Sequence, residues 1–378
     1  MARVSTDSVI EVVRVFMHNN SKRPNNFQPK SDHVRRPVKA ALLLATLLAF
    51  SPAHGSNRKG ELQSRPAIPS TKAASALLTD VSVAGKQIAV VGERGHILTS
   101  TDDGATWRQA TVPVQVLLTG VYFVNEQLGW AVGHEGVILG TRDGGATWEV
   151  QYANPYKEFT EEEQENFTDA QFNELPRLGA PLLDIWFRNE NEGFAVGAYG
   201  MLLHTSDGGR NWDDWSARLN FEDGWHLNTI GSADGNVIYV AGEKGVLFRS
   251  QDGGQSWHPL QGPYEGSFFG ILVGPTADSL MVFGLQGNLF RSHDQGNSWE
   301  EIKSTTENSL MGGVRLTDKD IVLVGNSGVI LTSKDAGLSY TAQITKDRQA
   351  ILGIARTASG KLLMVGQGGV KAASPAGN

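Results

Sequence analysis

The stretch SQDGGQSW, from Ser250 to Trp257, returns in variant form five more times along this chain. The other copies are STDDGATW from Ser100, TRDGGATW from Thr141, TSDGGRNW from Thr205, SHDQGNSW from Ser292 and SKDAGLSY from Ser333. Their shared frame is Ser/Thr-x-Asp-x-Gly-x-(Ser/Thr/Asn)-aromatic. Self-similarity of this kind is the sequence signature of a repeat architecture. The chain is therefore predicted to be a repeat protein.

The residue types of the frame predict a hairpin turn. An Asp side chain can bond backbone amides two residues further on, and Gly takes a positive φ without steric cost. The closing aromatic side chain gives each turn an apolar body to bury against the next repeat. We therefore expect a structural role for the Asp and the aromatic residue of every copy, which are Asp102, Trp107, Asp143, Trp148, Asp207, Trp212, Asp252, Trp257, Asp294, Trp299, Asp335 and Tyr340.

The composition argues against a metal or cofactor site. A calcium loop needs several oxygen ligands that converge on one ion, and apart from Asp102-Asp103 each turn offers a single carboxylate. The chain has no cysteine, which excludes disulfides and Cys-based zinc sites. We expect neither a bound metal nor a cofactor.

A second landmark, a Gly-x-x-Gly loop, gives the number of repeats. It begins at Gly92, Gly133, Gly197, Gly242, Gly284, Gly325 and Gly366, with spacings of 41, 64, 45, 42, 41 and 41 residues. Each repeat holds four short strands, as in LLTDVSV, AVVG, HILTST and the segment after the aromatic residue. Four strands per repeat predict an all-β, seven-bladed β-propeller of four-stranded antiparallel blades.

The last blade is incomplete in the C-terminal sequence, because the chain reaches Ser374-Pro375 without another copy of the turn. Residues 61–69 stand at the offset where other blades place their outer strand. We predict that this N-terminal segment closes the ring as the fourth strand of blade 7, which would remove a free strand edge.

The N-terminus has the pattern of a secretory signal. Arg35, Arg36 and Lys39 precede an apolar stretch at residues 40–50, and small residues then lead to Gly55. The expected domains are a leader and signal peptide at residues 1–55 and a propeller at 56–378. We expect export to a periplasm or equivalent lumen, with cleavage near Gly55. An uncleaved membrane anchor and a translation start at Met17 remain open alternatives.

Charge excludes one class of partner. Removal of residues 1–55 leaves 25 basic and 37 acidic residues, a net charge of about −12. Nucleic-acid-binding proteins carry basic surfaces, so we expect no nucleic acid. We expect a monomer with no membrane span in the mature chain.

One insert interrupts the regular spacing, at residues 151–180 between blades 2 and 3. Its segment TEEEQENFTDAQFNEL predicts a helix, since Thr160 and Glu163 have the spacing of a capping box and Pro176 follows the run. A solvated surface helix and a partner-docking element are both open. The candidate docking residues are Glu161, Glu162 and Glu163.

Topology places the insert on the same face as the Gly-x-x-Gly loops. In a four-stranded antiparallel blade, these loops and the connections between blades lie at one end, and the Asp-containing turns lie at the other. The loop residues differ from blade to blade, which suits recognition. The candidate partner-binding residues are Arg94, His134, Glu135, Tyr199, Lys244, Gln286 and Asn326.

The repeated turn is the Asp box, or bacterial neuraminidase repeat, which makes sialidase chemistry the enzymatic hypothesis for this chain. It needs three arginines that hold a substrate carboxylate. Inner strands carry Arg188, Arg315 and Arg356. Each arginine is counted from the aligned residue of its own inner strand, which is Gly313 for Arg315, Asp184 for Arg188 and Gly353 for Arg356. Arg315 then lies two residues on, Arg188 four and Arg356 three. Side chains alternate along a strand, so Arg356 should point away from the other two. We therefore expect no enzyme activity.

Seven blades, the Asp boxes and the hairpin AVGHEGVIL at residues 131–139 resemble the photosystem II stability and assembly factor family, over about residues 77–370. The resemblance implies a non-enzymatic propeller that holds a newly made membrane subunit during assembly, here in a bacterial member. The net negative charge of the mature chain argues against any role that depends on a basic binding surface. The resulting hypothesis is an exported binding or assembly factor for a membrane-associated complex. The alternative is a glycan-binding or sialidase-like propeller.

Overall fold

The computed structural model describes residues 65–154, 179–276 and 278–373. These residues form seven antiparallel sheets in which strands follow one another in chain order. Within the described residues, six sheets have four strands and the sheet of blade 7 has three. The prediction of a seven-bladed propeller is confirmed.

Blade 1 comprises β1 (Leu78–Ala84), β2 (Gln87–Gly92), β3 (Ile97–Ser100) and β4 (Arg108–Gln109), and blade 2 comprises β5 (Leu118–Phe123), β6 (Gly129–Gly133), β7 (Val137–Thr141) and β8 (Glu149–Ala153). Blade 3 comprises β9 (Leu182–Phe187), β10 (Gly193–Gly197), β11 (Leu202–Thr205) and β12 (Asp213–Asp214), and blade 4 comprises β13 (Leu227–Ser232), β14 (Ile238–Gly242), β15 (Leu247–Ser250) and β16 (His258–Pro259). Blade 5 comprises β17 (Phe268–Val273), β18 (Leu280–Gly284), β19 (Leu289–Ser292) and β20 (Glu300–Glu301). Blade 6 comprises β21 (Leu310–Arg315), β22 (Ile321–Gly325), β23 (Val329–Ser333) and β24 (Thr341–Ile344). Blade 7 comprises β25 (Ile351–Arg356), β26 (Leu362–Gly366) and β27 (Gly369–Ala373).

The described helical segments are short 3-10 turns, none of them long and apolar enough to cross a bilayer. Two lie outside the loops between the second and third strands, at Ala73–Ser75 and Ser216–Leu219. The others form those loops in six blades, at Glu93–Gly95, His134–Gly136, Ala198–Gly200, Glu243–Gly245, Leu285–Gly287 and Asn326–Gly328.

The core is distributed between the blades. The second strand of every blade is buried along its whole length, because both of its faces pack against neighbouring sheets. Ala89 and Val91 of blade 1, for example, share one apolar cluster with Val121 and Ala131 of blade 2. An apolar cluster of this kind lies at each of the seven junctions between blades. Each repeat thus depends on its neighbours for burial.

Every inner strand carries a β-bulge near its start. In blade 1 the register shifts between Leu78 and Asp80, and the same shift occurs at the equivalent place in the other six blades. A bulge adds one residue to one strand and re-aims the side chains around it. The residue after the bulge is therefore the correct reference for comparing inner strands.

Blades 7 and 1 meet directly. A Cβ added to Gly353 of β25 would lie 3.3 Å from the Cα of Asp80 in β1, so glycine permits this close approach. At the Asp-box end of this junction, Ser359 Oγ donates a hydrogen bond to the Asp103 carboxylate, and Lys361 Nζ lies 3.3 Å from the Asp103 carbonyl oxygen. The inner strands consequently form a continuous ring.

The proposed closing segment is only partly described, since residues 61–64 lie outside the described residues. Its described part lies against blade 1, where the Ala67 amide donates to the Val112 carbonyl at 2.9 Å and Gln109 Nε2 donates to the Ile68 carbonyl at 3.1 Å. Nearer to β27, Ala74 approaches Gly369. Closure of blade 7 by an N-terminal strand stays a prediction.

Candidate functional site: the tip face

The Asp boxes close on themselves through side-chain hydrogen bonds. In the box that begins at Ser250, the Ser250 hydroxyl donates to Asp252 Oδ1 at 2.8 Å and accepts from the Gly254 amide at 2.7 Å. The amide and hydroxyl of Ser256 donate to Oδ1 and Oδ2 of Asp252 at 2.9 and 2.6 Å. The bonded amide lies four residues after Asp252, so the expected spacing of two residues was wrong.

The same four bonds recur in the other five boxes, with Asn211 replacing the hydroxyl residue in blade 3. The closing aromatic packs inward, as Trp257 shows with 5% exposure and an indole N–H that donates to the Gly254 carbonyl at 3.1 Å. Hydrogen bonds from Thr106 hold the pKa of Asp102 at about 2. The carboxylates are therefore engaged within their own turns.

The loops between the second and third strands, here called the tips, share a strained turn. In blade 1 the Glu93 amide donates to the Leu77 carbonyl at 3.0 Å, which ties the tip to the chain entering the inner strand. The next residue, Arg94, has φ 57°. A left-handed conformation costs a non-glycine residue about 1–2 kcal/mol. The residues in this conformation are Arg94, Glu135, Tyr199, Lys244, Gln286 and Ser327.

The predicted candidates occupy two different positions of this turn. Most of them hold the strained second position, where Arg94, Tyr199, Lys244 and Gln286 are exposed and Glu135 is half-buried. His134 and Asn326 hold the first position and are half-buried. The exposed second position of blade 6 belongs to Ser327, which the sequence reading missed.

The insert starts and ends on the tip face. Asn154, at its start, donates its amide to the carbonyl of Gly136 in the blade 2 tip at 3.1 Å. The Asn154 side chain lies 3.5 Å from the Ala180 carbonyl and 3.6 Å from Met201 Sδ beside the blade 3 tip. Residues 151–153 complete β8, and the predicted helix with Glu161, Glu162 and Glu163 lies outside the described residues.

Exposed aromatic side chains meet a lysine next to this point. Tyr199 at the tip of blade 3 is 40% exposed, and Trp225 in the connection to blade 4 is 38% exposed. Lys244 Nζ at the tip of blade 4 lies 5.8 Å from the centroid of the Trp225 ring. We call Tyr199, Trp225, His226 and Lys244 the aromatic patch. An aromatic residue placed just before an inner strand, outside any Asp box, was the signal for Trp225 that the sequence reading overlooked.

His226 is held in the patch by Glu243. Glu243 Oε2 accepts the His226 backbone amide at 3.1 Å and lies 2.8 Å from His226 Nδ1. Burial raises the pKa of Glu243, but the hydrogen bonds and charge of His226 outweigh it, and the pKa lies below its usual value. The imidazole in turn lies 5.1 Å from the Tyr199 ring. Glu243 therefore stays ionised and orients His226.

The loop beneath the patch is anchored to the core. The Gly200 amide at the blade 3 tip donates to the Trp225 carbonyl at 3.1 Å. Phe221 packs edge-on against Phe248 with ring centroids 5.4 Å apart. Trp225 is thus presented from a fixed backbone rather than from a free loop.

A second group of polar residues lies where the inner strands surround the central channel. Asp80 and Asp184 hold the position after the bulge in blades 1 and 3. Asp80 accepts the amide of Val121 in blade 2 at 2.8 Å, and Asp184 accepts the amide of Ile230 in blade 4 at 3.0 Å. Each carboxyl thereby links its blade to the next.

Enclosure by the strands changes the acidity of both groups. Burial, with the charge of Asp184 as the second cause, raises the pKa of Asp80 to about 7, and burial raises that of Asp184 to about 6. Both residues keep some accessible surface. From the sequence alone, Asp80 and Asp184 served only to align the inner strands, and their altered acidity was not predicted.

The prediction that Arg356 points away from Arg188 and Arg315 was wrong. The bulge makes Gly312, not Gly313, the blade 6 equivalent of Gly353. Arg315 and Arg356 therefore occupy the same position in adjacent blades, and Arg188 is the one displaced by a residue.

The contacts of the arginines keep them apart. Arg188 donates to the carbonyls of Gly235 and Gly253 at 2.6 and 2.7 Å. It also pairs with Glu192 at 2.7 Å. Arg356 donates to the Leu316 carbonyl at 2.8 Å. Arg315 lies 3.4 Å from the Asp318 carbonyl oxygen. These bonds hold the arginines against backbone at the Asp-box end rather than at a shared substrate site.

The family model for photosynthesis system II assembly factor YCF48 matches residues 105–177 and 169–300, just over half of the chain. The chain belongs to this family. No curated protein matches the sequence significantly.

Solved structures agree with this YCF48-family fold. A structure of YCF48 bound to D1 peptide has a TM-score of 0.61 and 18% identity, covering 79% of this chain and 92% of the other. YCF48 from Cyanidioschyzon merolae has a TM-score of 0.61 and 17% identity, with coverage of 80% and 96%. The GH74 xyloglucanase from Xanthomonas campestris has a TM-score of 0.58 and 13% identity, covering 79% of this chain and 52% of the enzyme. Such low identities establish the fold alone.

Proposed function

We propose that this protein is an exported, non-enzymatic assembly or stability factor that binds a protein of a membrane-associated complex. Membership of the YCF48 family carries the proposal. A solved relative is a complex of YCF48 with a D1 peptide, so peptide binding is a known capacity of this fold within the family. The signal pattern before Gly55 supports export from a bacterial cell.

The tip face is the proposed binding face. It combines tip residues that differ between blades with the two ends of the insert, which meet at Asn154 and Ala180. A regular scaffold that carries variable loops on one face is a common arrangement for recognition. The opposite face repeats one self-satisfied turn in six blades and offers less variety.

The contacts at the Asp-box end support a role without catalysis. Arg188 and Arg356 donate to backbone carbonyls of neighbouring blades, and the Asp-box carboxylates accept bonds from their own turns. A glycosidase would need such groups directed at a substrate. The xyloglucanase shares a propeller architecture with this chain, and propellers host many unrelated functions.

In-cell crosslinking tests the proposal. Tagged protein is crosslinked, purified and analysed by mass spectrometry beside a version that lacks residues 158–174, and cell fractionation of the same culture locates the mature chain. We expect recovery of one membrane protein or complex with the exported form, and its loss with the deletion. Recovery of no specific protein from the wild type would refute the assembly-factor function.

A further inference from the structure

We infer that the aromatic patch is a peptide-binding site for a segment that carries an aromatic or aliphatic side chain two residues from a carboxylate. The inference rests on the proposed protein-binding function and names the chemistry of the partner. Three observations carry it: exposed aromatic rings, an available ammonium group and a fixed geometry.

The apolar part of the partner would contact Trp225 and Tyr199. Both rings are exposed, and both belong to one set of contacts, since Tyr199 packs against His226 and Lys244 lies over Trp225. Aromatic residues are also enriched at the centres of protein interfaces, because they bury much surface for little loss of side-chain entropy. Tyr199 holds the exposed second position of its tip with φ 56°, the conformation shared by the other tips, so the repeat itself fixes the backbone that presents this ring.

The charged part of the partner would contact Lys244. Among the described residues, no carboxylate forms a salt bridge with its ammonium group, whereas the neighbouring Glu243 is engaged by the amide and ring of His226. A partner carboxylate would complete the environment of Lys244 and accept a charge-assisted hydrogen bond. Charge complementarity thus favours an acidic residue or a chain terminus.

The spacing of these groups matches an extended peptide. In a strand, side chains i and i+2 project from the same face and are about 6.6 Å apart. Lys244 Nζ lies 5.8 Å from the Trp225 ring centroid. One side chain on Trp225 and a carboxylate two residues away at Lys244 would therefore be accommodated without distortion of the peptide.

The patch is less suited to a sugar. Sugar rings stack on aromatic side chains, but their hydroxyl groups also need several free polar side chains around the ring. The carboxylate that the described contacts bring to the patch is that of Glu243, and it is engaged by His226. We therefore assign the patch to a peptide and use a sugar as a competing probe.

The test is a titration of the mature protein followed by NMR of its backbone amides, and also of the Trp225 indole N–H in the variants that keep this residue. The probe is the peptide acetyl-Gly-Phe-Gly-Asp-Gly-amide, with analogues in which Phe is replaced by Ala or Asp by Asn. We expect Trp225→Ala to weaken binding of the probe at least about tenfold. We expect Lys244→Met to abolish the preference for the Asp peptide over the Asn peptide.

The matched controls are Leu338→Ala and Lys334→Met, which remove an exposed apolar side chain and an exposed ammonium group in the Asp box of blade 6, away from the tip face. Their binding should equal that of the wild type, and melting curves verify that every variant is folded. Unchanged binding in both patch variants, or no binding by the wild type up to about 5 mM peptide, would overturn the inference. Stronger shifts with a xyloglucan heptasaccharide than with the peptide would also overturn it.

Crosslinking of the patch variants separates this inference from the proposed function. If the wild type and the Trp225→Ala variant capture the same membrane partner equally well, the patch assignment fails and the assembly-factor function stands. If the wild type captures no partner but the patch binds the peptide as described, the assembly-factor function fails and the site stands.

Discussion

Replacement of Asp80 by asparagine is expected to flatten the dependence of stability on pH. The carboxyl of Asp80 has a pKa raised from 3.8 to about 7 by burial and by the charge of Asp184. The folded protein therefore binds this proton more tightly than the unfolded chain between these two values. The free energy of unfolding should be highest below about pH 4 with respect to this group, and should fall as pH rises towards 7.

The size of the pKa shift of Asp80 determines how much the free energy of unfolding should change with pH. One pKa unit corresponds to 1.36 kcal/mol, so a rise of about three units amounts to at most about 4 kcal/mol. Asp80 keeps some accessible surface, and we therefore expect about 2 kcal/mol between pH 5 and 8. An asparagine oxygen can accept only one of the two amides, Val81 and Val121, that Asp80 binds. The variant should accordingly lose about 1 kcal/mol at low pH.

Urea unfolding curves between about pH 5 and 8 measure this difference. Asp234→Asn serves as the control, because Asp234 is an exposed turn residue. The wild type and this control should lose stability with rising pH, whereas Asp80→Asn should lose much less. Parallel pH profiles for the wild type and Asp80→Asn would show that Asp80 titrates normally and would refute the reasoning.

Three further predictions follow from the same structure. Asp252→Ala removes the acceptor of three hydrogen bonds in its Asp box and should lower the free energy of unfolding by about 1–3 kcal/mol; a melt like that of the wild type would contradict this. Deletion of residues 56–70 should lower the melting temperature sharply because it removes the proposed closing strand and the contacts of Ala67, and an unchanged melt would refute closure. Charge reversal at residues 161–163 should weaken partner capture without altering the circular dichroism spectrum, and undiminished capture would remove the insert from the binding face.

The architecture could be predicted because each of the first six blades contains a local sequence motif that forms its own turn. Asp252, Gly254 and Trp257 form a turn whose hydrogen bonds lie within eight residues, so the motif in the sequence is nearly the whole structural unit. Seven tips at regular spacing then give the number of blades, since each repeat must bury its sheet faces against its neighbours. The hydrogen-bond reach of Asp252 was wrong in detail, but it left the turn in the same place.

The functional geometry depended on contacts between segments that are distant in the chain. In the aromatic patch, Tyr199 comes from the tip of blade 3, Trp225 from the connection to blade 4 and Lys244 from the tip of blade 4. The sequence analysis considered only the tips and therefore missed Trp225. Gly312 replaced Gly313 as the reference residue because a bulge, which is set by strand pairing, shifts the register by one.

The sequence by itself therefore determined the repeat, the blade count and the face from which the insert emerges, because short-range turn chemistry and chain order are sufficient for these features. Only the tertiary structure decided the state of Asp80 and Asp184, whose pKa values depend on enclosure by strands of other blades. It also decided which exposed side chains lie together. Closing the ring brings the blades to their final positions, and the distances between side chains of different blades are established only then.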